Sequence, residues 1–195
     1  VEQELHNFQN RNARFRYLFA RLRTTAYAVI DQVAAELRCS DFVPMAFELS
    51  FGGKNGALSA VTISEPDGEL RVGGKVDRVD GWVKDNRLYL RVVDYKSGKK
   101  AFDLAAVRMG LDIQMLLYLF ALKKEGKQRF GMDIEPAGVL YLPARDEILS
   151  AERNITPEQL QSQREKELRR TGLLLSEPEV LQAMEHEALQ SPRFL

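Results

Sequence analysis

Between residues 2 and 38, Leu5, Phe8, Phe15, Leu18, Phe19, Leu22, Ala26, Val29, Ile30, Val33 and Leu37 recur at spacings of three and four. That is the period of one apolar stripe on an α-helix, and neither Pro nor Gly interrupts it. The spacing predicts a single long helix over 2–38. "CSDFVP" ends it, because Pro44 disfavours a helical residue before it. From 45 to 96 the period shortens. Four β-rich stretches, "AFELSFG", "ALSAVTIS", "ELRVGGKVDRVDGWV" and "RLYLRVVDYK", are separated by "GGKNG", "EPDG" and "KDN", the punctuation expected of an antiparallel meander. In the third stretch, strand alternation turns Val76, Arg78 and Asp80 one way and Asp77 and Val79 the other.

The helical period returns over 103–125. "FDLAAVRMG" reads as a short turn or helix, and "LDIQMLLYLFALKKEG" as an apolar helix that Gly126 stops. "PAGVLYLPA" (136–144) predicts a buried strand. From Thr156 to about Glu187 the chain reads as charged helix, opened by Thr156 as N-cap and Pro157 in the first turn. The order helix, sheet, helix, strand, helices defines a mixed α/β class built on a central sheet.

Composition changes this picture little. The chain has 195 residues, suited to one domain, and 45% are hydrophobic, enough for a real core. Lys plus Arg and Asp plus Glu both number 28, so bulk charge does not point to nucleic acid and any basic surface is local. The single cysteine, Cys39, can form neither an internal disulfide nor a cysteine-rich metal site; it reads as a small buried hydrophobe. No apolar run approaches the ~18 residues of a membrane helix, and the polar, basic first twenty residues lack a signal-peptide core. No membrane association is expected, and the expected location is cytoplasmic. Because the sequence opens without Met and ends at "SPRFL", it is expected to be part of a larger protein.

The candidate chemistry lies in "GGKVDRVDG" and "RVVDYKSGKK". With the hairpin centre near residues 85–86, Asp77 opposes roughly position 94. Carboxylates on facing strand positions approach to about 5 Å, and both stay ionised only with a cation between them. Oxygen ligands select Mg²⁺, Mn²⁺ or Ca²⁺ over zinc. Lys96 shares a strand face with Asp94. Two carboxylates, a metal and an ammonium suit phosphodiester hydrolysis, in which the metal activates water and the lysine stabilises growing charge. A D-x-K at a strand end is equally the pattern of a surface ion pair.

"GGKVDRVDG", "VVDYKSGKK" and "GLDIQMLLYLFAL", in that order and spacing, resemble the PD-(D/E)xK nuclease superfamily, and within its RecB-like branch the nuclease domain found in the B-type chains of bacterial ATP-dependent helicase–nucleases. The similarity covers most of residues 40–190, including "LRRTGLLLSEPEVLQAM". The resemblance implies a restriction-endonuclease-like mixed central sheet flanked by helices, with the long N-terminal helix packed across it. It also implies an exonuclease dependent on Mg²⁺ or Mn²⁺, acting with the companion helicase–nuclease subunit of the A type in double-strand break repair and recombination. By matching position, Asp77, Asp94 and the Tyr95 carbonyl would be metal ligands and Lys96 the catalytic lysine. Gln114 and Tyr118 would lie beside the DNA, and Glu48 matches an acidic residue of the first strand. For Arg78 the resemblance leaves phosphate binding and carboxylate pairing both open. Lys99 and Lys100, with Arg108 following, are candidate phosphate contacts, and DNA, as a single strand, is the expected partner.

Two departures accompany the resemblance. The family's metal-binding histidine has no match, since His6 and His186 lie in the wrong contexts and His186 reads as part of a solvated helix face. The four cysteines of the iron–sulfur cluster are also missing, so that cofactor is expected only in the full-length protein. The alternatives are a nuclease-like domain that binds DNA or a partner without cutting, and an unrelated β-rich module in which D-x-K is coincidence.

Overall fold

A computed structural model describes residues 12–52, 58–145 and 154–195. The first helix, α1 (Ala13–Arg38), opens at Asn12, whose side chain accepts the Phe15 N–H at 2.8 Å. The predicted start at residue 2, and His6, lie outside the described residues. Only the last turns of α1 engage the sheet: Val29 and Val33 pack against Val93, Leu140 and Leu142. Leu18, Leu22 and Ile30 of the same apolar pattern are exposed, as are Tyr17 and Tyr27. Cys39, at the end of α1, is exposed and free rather than buried as its hydrophobicity suggests.

Five strands among the described residues form one sheet in the order β1-β4-β5-β6-β7: β1 (Val43–Phe51), β4 (Gly74–Lys84), β5 (Arg87–Lys96), β6 (Asp133–Pro143) and β7 (Thr171–Leu174). The expected four-strand meander is corrected in two ways. The stretch 69–83 breaks at Gly73 into β3 (Gly68–Val72) and β4, and β3 pairs with β2 (Val61–Glu65) as a separate hairpin. β1 then pairs antiparallel with β4 instead of β2. β5 and β6 run parallel, which demands a crossover connection, and α3 (Gln114–Phe130) supplies it after the short α2 (Leu104–Arg108).

Gly126 does not stop α3. It is buried inside the helix, and a Cβ there would come 3.1 Å from Ile134 Cγ1, so glycine lets the helix lie close to β6. The helix ends at Gly131, in the left-handed conformation (φ 73°) that glycine adopts without penalty. Downstream, α4 (Pro157–Glu167) carries the predicted cap as a reciprocal Thr156–Gln159 capping box. The predicted helix to Glu187 is interrupted by β7 before α5 (Pro178–Met184). Pairing with β6 overrides local preference there, and a Cβ at Gly172 would fall 2.0 Å from the Val139 carbonyl oxygen.

The two sheet faces are filled differently. On one, Leu88, Leu90, Val92, Val79 and Val139 pack under Met115, Tyr118, Leu119 and Leu122 of α3. Val76 joins this same cluster instead of facing away with Arg78; opposite this stretch, Glu48 of β1 has a left-handed backbone (φ 52°) and the alternation slips. On the other face lies a buried ionic cluster. Asp80 meets Arg78 Nε at 2.8 Å and Arg91 Nε at 2.9 Å, and Glu36 of α1 meets Arg91 Nη2 at 2.9 Å and Arg170 Nη2 at 2.8 Å. Burial opposes the Glu36 charge, but Arg170, Arg91 and Arg78 together hold its carboxyl below the ordinary range.

Candidate active site

The β4–β5 turn falls at Asp85 and Asn86, both with positive φ (48° and 60°), as a two-residue hairpin turn requires. It sets the register Lys84–Arg87 through Arg78–Val93. One position beyond the last pair, Asp77 on β4 reaches across to the Asp94–Tyr95 end of β5. There the backbone ladder stops, and the Asp77 carboxylate takes over. Its Oδ2 accepts the Tyr95 N–H at 2.9 Å. Lys96 Nζ lies 2.7 Å from Asp94 Oδ2. Asp94, Tyr95 and Lys96 are all half-buried.

Parallel pairing of β5 with β6 places Tyr141 beside Asp94. The ammonium groups of Lys96 and Lys100 lie 5.6 and 5.8 Å from the Tyr141 ring centroid, within cation–π range. Burial pushes the Tyr141 phenol up, while the two lysines pull it back. Lys100 also pairs with Asp112 at 2.5 Å. Tyr141 and Asp112 escaped sequence reasoning. Tyr141 sits in an apolar strand whose register is set by a non-local parallel pairing. Asp112 is an ordinary loop acid in sequence, although its positive φ (53°) marks an unusual backbone.

The remaining predicted residues separate by location. Gln114, exposed at the start of α3, donates through Nε2 to the Tyr118 hydroxyl at 2.5 Å. Tyr118 is buried and stacked on Phe51 with ring centroids 5.3 Å apart, so it supports Gln114 from within the core instead of facing a nucleotide. Gly74 makes room for it, since a Cβ at that position would lie 2.0 Å from the Tyr118 hydroxyl oxygen. Glu48 is largely exposed and pairs with Lys75; the Lys75 pKa is raised first by Glu48 and further by Asp77, which puts this pair next to the carboxylates. Lys99 pairs with Glu167 at 2.9 Å on the surface. Arg108 ends α2. Arg78 is fully buried and held by Asp80 and Glu36. Its carboxylate-pairing reading is the one realised, and a direct phosphate contact is corrected. His186 is exposed in a turn after α5, rather than on a helix face, and lies 3.0 Å from Asp41.

The sequence model of the PD-(D/E)XK nuclease superfamily matches residues 1–191. The chain belongs to this superfamily. Among curated superfamily relatives, it is 35% identical over 192 residues to the B-type chain of the ATP-dependent helicase/deoxyribonuclease of Clostridium acetobutylicum, covering 96% of this chain and 17% of that protein. It is 34% identical to the corresponding protein of Moorella thermoacetica (97% and 16%) and 35% identical to that of Ruminiclostridium cellulolyticum (89% and 15%). The chain therefore spans about a sixth of the length of these relatives. Superfamily membership removes the reading of D-x-K as coincidence in an unrelated β-rich module.

The donor set suits a hard divalent cation. Asp94 Oδ2 is buried and accepts no hydrogen bond, its near neighbour being the Lys96 ammonium. Asp77 uses Oδ2 for Tyr95, and Oδ1 accepts no hydrogen bond among the described residues. A buried carboxylate oxygen without a hydrogen-bond donor is the kind of group a cation satisfies. Among the described residues no group of three or more His, Cys, Asp or Glu side chains is placed to hold a metal. A four-cysteine iron–sulfur cluster does not fit this chain, which has one cysteine. No helix among the described residues is long and apolar enough to cross a membrane.

Proposed function

We propose that this chain is the catalytic core of a DNA nuclease, a single domain of a larger helicase–nuclease protein, and that it hydrolyses phosphodiester bonds with Mg²⁺ or Mn²⁺. The observation carrying this reading is the fastening of Asp77, Asp94 and Lys96 where the ladder between β4 and β5 stops, with Asp77 bonded to the Tyr95 N–H and Lys96 against Asp94. Asp77 and Asp94, with the Tyr95 carbonyl, would hold the metal. When bound, the metal would supply Lewis-acid polarisation of the phosphoryl oxygen and lower the pKa of a water. Lys96, paired with Asp94 here, would turn its ammonium toward the attacking water or the phosphoryl oxygen, where it would offset charge that grows in the transition state. Gln114, braced by Tyr118, contacts the strand beside the site. Lys99 and Lys100 exchange Glu167 and Asp112 for backbone phosphates, a contact that weakens with salt.

The names of the relatives support DNA as substrate and a helicase as working partner. In that setting the domain acts as an exonuclease that trims a single strand produced by unwinding, in double-strand break repair and recombination in the cytoplasm. Any iron–sulfur cluster of the longer protein would be held outside these 195 residues.

The test is cleavage of end-labelled single-stranded DNA with Mg²⁺ or Mn²⁺ by this chain and by Lys96→Ala. Loss of activity by at least about 100-fold in the variant is expected for removal of a transition-state charge partner. Equal cutting by both would reject Lys96 as the catalytic lysine. Metal binding without any cutting would favour a domain that binds DNA or a partner only.

A further inference from the structure

The D-R-x-D block contains two charged residues, Arg78 and Asp80, that the chemistry above does not use. β4 runs back to Gly74 and β5 on to Lys96, yet their backbone ladder ends at Arg78–Val93. On the β6 side, residues 94–96 stay fully paired with Tyr141, Leu142 and Pro143. On the β4 side, two side-chain bonds replace the ladder, and both end on Tyr95. Its N–H donates to Asp77 Oδ2, and its hydroxyl accepts from Arg78 Nη1, each at 2.9 Å. The Arg78 guanidinium also lies 5.7 Å from the Tyr95 ring centroid. Arg78 cannot swing away, because Asp80 and Glu36 hold its other nitrogens inside the protein. The pair Asp77–Arg78 thus grips Tyr95 from both sheet faces, one by the backbone and the other by the ring.

We propose that the Tyr95 hydroxyl is a positioning group for the metal and for Lys96. The buried Arg78–Asp80 pair fixes the phenol, and the phenol fixes the peptide between Asp94 and Lys96. The strand end then presents both carboxylates and the ammonium in one arrangement. Residues 78 and 80 therefore serve the site without touching it. This inference rests on the nuclease reading and names residues that the reading leaves unused.

Arg78 variants strand buried carboxylates and are unsuitable as a test. Tyr95→Phe removes one oxygen and keeps the ring. Tyr89→Phe, on the same strand but packed against Trp82, is the matched control. Three quantities are measured on wild type and both variants: Mn²⁺ affinity by electron paramagnetic resonance, steady-state cleavage, and hydrogen exchange of the Tyr95 amide. Tyr95→Phe is expected to remain folded, to exchange the Tyr95 amide faster, to bind Mn²⁺ roughly tenfold more weakly and to lower kcat, as loss of an outer partner of a metal site does. Its KM for DNA should stay unchanged, and Tyr89→Phe should match wild type throughout. Wild-type Mn²⁺ affinity and amide exchange in Tyr95→Phe would overturn the positioning role while leaving the nuclease reading intact. Wild type that neither binds Mn²⁺ nor cuts would overturn the nuclease reading and this inference with it.

Discussion

The two faces of the β4–β5 hairpin carry the same residue types and do opposite things. On the α3 side, Asp77, Asp94 and Lys96 are half-buried, and a carboxylate oxygen lacks a hydrogen bond. On the α1 side, Asp80, Arg78, Arg91, Glu36 and Arg170 are sealed from water and interlocked. Consecutive residues feed the two faces, Asp77 and Arg78 on one strand and Asp94 and Tyr95 on the other. Charge in a strand therefore does not mark chemistry by itself. What separates the faces is access to water: the sealed face pairs its charges with one another out of reach of solvent, even though Asp80 Oδ1 and three guanidinium nitrogens there make no hydrogen bond, whereas Asp77, Asp94 and Lys96 on the open face stay partly accessible.

That contrast can be broken most forcefully on the sealed side. Asp80→Ala leaves three guanidinium groups with the single carboxylate of Glu36, and should cost about 3–5 kcal/mol in urea unfolding, the usual penalty for stranding buried charge. A loss under about 1 kcal/mol would mean that water reaches the cluster. Acid should act on the same face. The Glu36 pKa is lower in the folded chain than its ordinary value of 4.5, so the unfolded chain binds that proton more readily. The contribution is fully present above pH 4.5 and is lost as pH falls through the folded pKa. Urea midpoints measured across this range should drop less steeply in Glu36→Gln, which is already destabilised at neutral pH. The smallest stability effect belongs to the open side. Asp94→Asn breaks a partly exposed ion pair and relieves repulsion from Asp77, so without metal it should change unfolding by no more than about 1 kcal/mol, while abolishing cleavage.

Much of the open face was legible because its causes are local. A two-residue turn sets the register and alternation puts Asp94 and Lys96 on one side; elsewhere, Thr156 and Pro157 announce α4 in the same local way. The sealed face was not legible. Glu36 and Arg170 lie far apart in sequence, and nothing near either reveals that both are buried. The same limit explains β7, whose short apolar run becomes a strand only because β6 offers an edge, and Gly126, which reads as a stop until Ile134 is seen beside it. Tyr141 was hidden in the same way: its neighbour Asp94 is set by a parallel pairing that sequence spacing does not encode. Strand alternation already separated Asp77 from Arg78, and the packing then showed that Arg78 spends its charge on Asp80 and Glu36 inside the protein.

The Glu36–Arg170 pair also has a temporal side. Its members are separated by 134 residues, which a ribosome adding about 5–20 residues per second needs on the order of ten seconds to span. From Arg91 onward in that interval the nascent chain holds the acid and two of the arginines, but not the partner that completes the lock. The domain must therefore tolerate a long unfinished stage during synthesis, with closure waiting on the segment that delivers Arg170.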